Sequence, residues 1–89
     1  MNNFVVLNEN DNVAIALTDF KIGESISIGD CFIILKTDIA FAHKIAIKDI
    51  KTGEKIFRYG LPIGSATQNI GKGEHVHKQN IQSDYKIVD

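Results

Sequence analysis

One stretch of this chain occurs three times. Residues 16–26, Ala-Leu-Thr-Asp-Phe-Lys-Ile-Gly-Glu-Ser-Ile, align with residues 46–56 and again with residues 66–76. The shared pattern is Ala, two residues, Asp or Asn, an apolar residue, two residues, Gly-Glu, one residue, then Ile or Val. The copies start 30 and then 20 residues apart, so they are a recurring structural unit and not the evenly spaced repeat of a solenoid.

The unit can be read physically. Val13, Ile15 and Leu17 alternate before the first copy, and Ile45 and Ile47 before the second. A period of two marks a half-buried strand. Asp19, Asp49 and Asn69 are residues whose short side-chain oxygen can accept from backbone N–H groups two or three positions on. Gly23, Gly53 and Gly73 follow four residues later, where a positive φ can end the turn. Glu and an alternating apolar residue then open a new strand. Each copy therefore reads as strand, short capped helical turn, strand.

Further strands are expected at Phe4 to Leu7, Ser25 to Ile28 and Cys31 to Leu35, the last two joined at Gly29-Asp30. Lys55 to Tyr59 and Ile63 to Thr67 flank a turn at Gly60-Leu61-Pro62, which places the one proline outside any element. Tyr85 to Val88 is expected to add an edge strand. No window of ten or more residues has helical periodicity. These features predict a single domain over residues 1–89, all-β, compact and strongly bent, with short helical turns.

Composition narrows the function classes. Net charge is −1, from ten basic against eleven acidic residues, and no basic face or basic amphipathic segment is visible. Nucleic-acid binding and membrane-surface binding are therefore not expected. The longest apolar run, Cys31 to Leu35, is far shorter than the roughly 20 residues of a membrane span. The N-terminal residues lack the charge and apolar stretch of a signal peptide, and a single cysteine forms no internal disulfide, which together point to the cytoplasm. Cys31 itself, inside the apolar run, reads as a small core residue. A chain of 89 residues has a thin core, too small to house a complete active site, so an accessory role beside a larger polypeptide is expected.

Candidate chemistry centres on His43, His75 and His77. On a strand, residues 75 and 77 share a face with Cα atoms roughly 6.5 Å apart, so two imidazoles can converge on a cation or an anion. They can equally be solvated strand residues, since no Cys/His set completes a tetrahedral site. His43 and Lys44 open a strand together; they are either a carboxylate contact or a surface pair. Tyr59-Gly60 with Gly64 either lets backbone approach a ligand or simply turns a hairpin. Gly71-Lys72-Gly73 lacks the spacing of a phosphate loop.

The ordered series His43-Lys44, Asp49-Ile50, Gly53-Glu54, Tyr59-Gly60-Leu61-Pro62-Ile63-Gly64, Gly71-Lys72-Gly73-Glu74-His75-Val76-His77 and Asn80 resembles the N-terminal module of altronate and galactarate dehydratases. In some members, such as sulfolactate sulfo-lyase, that module is a separate small subunit. The resemblance covers nearly the whole chain and is strongest over residues 43–80. It implies a SAF-type β-clip fold and the non-autonomous small subunit of a hydro-lyase, a carbon–oxygen lyase. Such enzymes take water, or sulfite in the sulfo-lyase, from a hydroxy acid, and a sugar acid yields a 2-keto-3-deoxy acid. A divalent metal, iron or manganese, can stabilise the developing enediolate there.

The resemblance further implies a large dehydratase subunit that shares the metal and carries most of the catalytic apparatus. It implies metal or substrate binding by His75 and His77, proton transfer by His43, a carboxylate contact from Lys44, and a loop shaped by Tyr59, Gly60 and Gly64. Gln79 and the polar tail after Asn80 depart from the family pattern and leave the substrate open. A different reading is a stand-alone SAF-type module that binds carbohydrate or guides assembly without catalysis. Homo-oligomerisation through strand edges is compatible with both.

Overall fold

The computed structural model describes residues 3–84, and the strand expected at Tyr85 to Val88 lies outside them. Nine short strands follow one another: β1 (Phe4–Val5), β2 (Val13–Ala16), β3 (Ser25–Ile28), β4 (Cys31–Ile34), β5 (Lys44–Ala46), β6 (Lys55–Arg58), β7 (Leu61–Ala66), β8 (His75–Val76) and β9 (Ile81–Gln82). All pairings are antiparallel. They form a four-stranded sheet in the order β1-β2-β5-β8, a β3-β4 hairpin and a three-stranded sheet β6-β7-β9. The all-β expectation holds. The turns expected to be helical are hydrogen-bonded turns, and no helix occurs among the described residues, so none is long and apolar enough to cross a membrane.

The repeated unit has a fourth member, Leu35 to Lys44, which the three-copy pattern does not reveal. Its Asp38-Ile39 matches Asp19-Phe20, Asp49-Ile50 and Asn69-Ile70, but Ala42-His43 stands where the others carry Gly-Glu. Backbone bonding is the same in all four. Glu24, His43, Glu54 and Glu74 each donate N–H to the carbonyl three residues back. Ala42 even adopts the positive φ of the glycines, +70° against +92°, +87° and +88° at Gly23, Gly53 and Gly73. Strands β3, β5, β6 and β8 each begin six residues after the Asp or Asn.

The units work in pairs, which corrects the capping expectation. Asp19 and Asp38 do not accept from their own turns. Asp19 accepts from Phe41 N–H, and Asp38 from Ile22 N–H, each at 2.8 Å. Asp49 accepts from Lys72 and Asn69 from Thr52 in the same reciprocal way. The bridges Phe20↔Ile39 and Ile50↔Ile70 lie between the exchanged side chains. Each pair is thus a pseudo-twofold clasp closed by two side-chain acceptors. An acceptor that satisfies a backbone donor far away in sequence ties topology together, whereas a local cap only shapes its own turn.

Each clasp has its own core. Ala16, Phe20, Leu35 and Ile39 pack with Ile26, Ile33 and Ile45; Ala46, Ile50, Ala66 and Ile70 pack with Val13, Ile56 and Val76. Consecutive residues Ile45 and Ala46 serve opposite cores, so β5 is buried on both faces. The same holds for β2. The alternation of Val13, Ile15 and Leu17 suggested one inward face, but Ala14 and Ala16 are fully buried while Leu17 is exposed. Small residues occupy the second face because another layer closes over it.

Two local expectations are corrected. Cys31 is exposed at the tip of the β3-β4 hairpin, because in β4 it is Ile33 that points inward. Pro62 lies inside β7, opposite Phe57 and beside the register irregularity at Ile56/Phe57. Among the described residues strand β9 pairs only with Ser65 and Ala66, so none of them meets Pro62 on that side, and the proline nitrogen cannot donate.

Candidate functional site

Strand β5 begins straight after the turn that ends in His43, and its ladder with β8 pairs Lys44 with Val76 and Ile45 with His75. One further step of that ladder sets His43 opposite His77. The chain does gather its three histidines. Their ring centroids are 4.4 Å (His43–His77), 5.0 Å (His43–His75) and 5.3 Å (His75–His77) apart, with interplanar angles of 13–18°. One nitrogen from each ring lies within 4.8 Å of the other two. His43 Nδ1 and His75 Nε2 share a hydrogen bond of 2.7 Å. All three rings are half-buried.

The backbone holds this arrangement from both sides. His43 is fixed by its N–H to Ala40 and by Ala16 N–H to its carbonyl. The strand ends at Val76, and His77 opens a turn instead of continuing it. Asn80, 3% exposed, makes that turn: its Oδ1 accepts from His77 N–H at 3.0 Å and its Nδ2 donates to the His75 carbonyl at 2.7 Å. Gln79 Nε2 lies 3.2 Å from His75 Nδ1. Sequence spacing placed His75 and His77 together; it gave no sign that Asn80 and Gln79 position them. The signal was present as the turn-forming Asn three residues past His77.

Lys44 is half-buried beside the rings. Desolvation first, and then the nearby Arg58 charge, lower its pKa from the ordinary 10.5. Arg58 comes from the distant strand β6, where it lines the groove beside Tyr59, and it acts on Lys44 through its charge. Tyr59 and Gly60 are elsewhere. They form the tip of the β6-β7 hairpin, both at positive φ, and their N–H groups donate to the buried Asp11 carboxylate at 2.8 and 2.7 Å. Asp11 precedes β2, whose far end, Ala16, meets His43; five residues of strand span roughly 16 Å. Tyr59 instead lines an open groove of about 250 Å³ with Leu7, Arg58, Leu61 and Ile63. Gly64 is buried in β7, where a Cβ would run into the Gln82 carbonyl, so close strand approach accounts for that glycine.

The electrostatics favour neutral imidazoles. His75 is lowered from the ordinary 6.5 by desolvation and then by His43, His77 and Lys44. His77 is lowered by desolvation and then by His43, Lys44 and Lys78. Neutral rings offer lone pairs to a cation, while Lys44 supplies positive charge for an anion. The lowered values also set a pH dependence. Below 6.5 the unfolded chain binds protons that the folded chain refuses, so stability rises with pH through that window and falls on acidification. The urea midpoint is expected to drop between about pH 7.5 and about pH 5, and a chain with glutamine at 75 and 77 should lose most of that drop. The Asp84 carboxyl, lowered by Lys55 and Ser65, acts only below its ordinary 3.8 and does not overlap.

Comparison with known proteins gives a consistent picture. The family model described as the altronate/galactarate dehydratase SAF domain matches residues 2–84. The altronate dehydratase of Bacillus subtilis (strain 168) is 40% identical over 88 residues, which is 99% of this chain and 18% of that enzyme. The altronate dehydratase of Escherichia coli (strain K12) is 37% identical over 86 residues, 97% of this chain and 17% of that enzyme. The (2R)-sulfolactate sulfo-lyase subunit alpha of Paracoccus pantotrophus is 35% identical over 48 residues, covering 54% of this chain and 72% of that subunit. The chain spans less than a fifth of the two altronate dehydratases it matches.

Proposed function

The chain belongs to the altronate/galactarate dehydratase SAF-domain family, and from that premise we propose that it is the small module of a hydroxy-acid lyase, acting with a large dehydratase polypeptide to eliminate water from a sugar acid. The observation that carries this reading is the convergence of His43, His75 and His77, with the Lys44 charge close enough to act on His75 and His77. Neutral donors and positive charge side by side suit a polyoxygenated acid, whose carboxylate needs cations and whose hydroxyls need hydrogen-bond partners.

In this mechanism Lys44 holds the substrate carboxylate as a point charge. His43 accepts or returns a proton at Nδ1 or Nε2, since an imidazole changes charge near neutral pH. His75 and His77, kept neutral, would hold a divalent iron or manganese ion, and the donor set fits such an ion. When bound, that ion supplies Lewis-acid stabilisation of charge on the carboxylate carbon framework. The half-buried rings leave one side open for the partner polypeptide to close. Tyr59 and Gly60, tied to Asp11 at the hairpin tip, take no part in the proton transfer.

The reading is tested by reconstitution. The 89-residue chain alone should release no keto acid from altronate or galactarate. Co-expressed with a large dehydratase chain, it should form a complex with elimination activity that neither polypeptide shows separately. A saccharide complex of the isolated chain, with no lyase activity under any pairing, would instead support the stand-alone carbohydrate-binding reading.

A further inference from the structure

We infer that His43, His75 and His77 form a three-imidazole site for a divalent transition-metal ion that this chain completes by itself, with His43 serving in the metal-loaded state as a third ligand instead of as the proton-transfer group named above. Three nitrogens that bind one ion at about 2.1 Å sit roughly 3–3.4 Å apart. Here one nitrogen from each ring already lies within 4.8 Å of the others, and the His43–His75 pair is at 2.7 Å. Loading the site means opening the 2.7 Å His43–His75 pair slightly and drawing in nitrogens that lie up to 4.8 Å apart, by rotation of the side chains. That backbone is pinned at every ligand: by Ala40 and Ala16 at His43, and by Asn80 at His75 and His77.

The internal repeat supplies an independent argument. In two sister units the glutamate at the position of His43 turns back on its own backbone: Glu24 accepts from Lys21 N–H and Glu54 from Lys51 N–H. The turn is therefore built readily with glutamate. In the unit of His43 that local hydrogen bond is given up, and the side chain joins two other imidazoles instead. A structural role would favour glutamate here; a ligand role requires the imidazole. The hydrogen bond between His43 Nδ1 and His75 Nε2 joins one N–H donor to one acceptor nitrogen, and a cation that displaces that proton meets both nitrogens as lone-pair donors. Gln79 at His75 Nδ1 is the outer partner such a ligand needs; its amide turns over to accept from Nδ1–H once Nε2 binds metal.

The inference stands whether or not a lyase assembles around the site. It is tested on the metal-free 89-residue chain with Co(II) alone, followed by calorimetry and by the visible absorption of the ion. One ion should bind per chain, with imidazole-ligand absorption and with paramagnetic broadening strongest at the three histidines and falling with distance from them. His43→Phe keeps the stacked ring and removes the donor atoms. It should weaken Co(II) binding by at least about 100-fold, beyond the usual effect of an outer-shell change. Thermal unfolding of the metal-free variants, with His43→Ala beside His43→Phe, confirms that the fold is retained. Co(II) binding of undiminished strength in His43→Phe overturns the assignment, and so does the absence of saturable binding in the parent chain. A site that appears only in an assembled lyase overturns this inference and leaves the lyase reading intact; Co(II) binding by the isolated chain together with failure of every reconstituted pairing to eliminate water supports this inference and overturns the lyase reading.

Discussion

Replacing Gly73 by alanine is expected to cost roughly 2–5 kcal/mol, a large share of the roughly 5–15 kcal/mol that holds a small domain together. Two penalties add. Gly73 sits at φ +88°, where an L side chain costs about 1–2 kcal/mol. A Cβ there would also collide with the Ile34 carbonyl and press on Ile33, and such overpacking adds about 1–3 kcal/mol. Gly53 is the control. Its φ is +87°, but a Cβ meets nothing within 4 Å, so Gly53→Ala should cost only the conformational part, about 1–2 kcal/mol. Urea unfolding of both variants decides the matter, and equal losses would mean that the Ile34 contact is not real. Ala42, in the same conformation without being glycine, shows that the turn tolerates a Cβ where space is open.

Asn80→Ala is expected to damage stability and site together. Its side chain is the acceptor for His77 N–H and the donor to the His75 carbonyl, in a position with almost no solvent access. Removing both bonds leaves buried backbone groups unpaired, at roughly 1–3 kcal/mol. The two imidazoles then lose their fixed spacing, so metal affinity should fall about 10–100-fold, the usual consequence of loosening an outer-shell support. Asn80→Asp separates the two contacts, because it still accepts from His77 but repels the His75 carbonyl. Calorimetric titration with Co(II) at a temperature where all variants are folded reads the effect. Unchanged affinity in Asn80→Ala would show that the turn orients the histidines without this side chain.

Much of the fold was legible because the recurring unit is a local pattern. Gly at the positive-φ position and Ile or Val two residues past the glutamate mark each turn and each new strand, and β3, β6 and β8 begin where that pattern places them. The fourth unit escaped notice because its diagnostic positions are the substituted ones: Ala42 for glycine and His43 for glutamate. The residue that hides the repeat is the one that joins the site. Long-range bonding was not legible either. Asp19 looked like a local cap because its side chain suits one, but only three-dimensional pairing brings Phe41 N–H to it.

The site was legible in its core and not in its surroundings. His75 and His77 are two residues apart, a spacing that converges on a strand or at a strand end alike. His43 joins them only through the β5-β8 register. Arg58 acts on Lys44 only through its charge, from a strand that begins eleven residues after Lys44, and nothing in the spacing suggested it. Tyr59 and Gly60 were drawn into the same loop by their place in the family series; in the structure they are tied to Asp11.

The most direct measurement is the turnover number of the assembled lyase carrying His75→Ala and His77→Ala in this chain. A fall of at least about 100-fold, with the complex still forming at normal strength, is expected if these imidazoles face the reacting acid. Turnover equal to that of the unsubstituted assembly would contradict the account, because the cluster would then lie outside the chemistry.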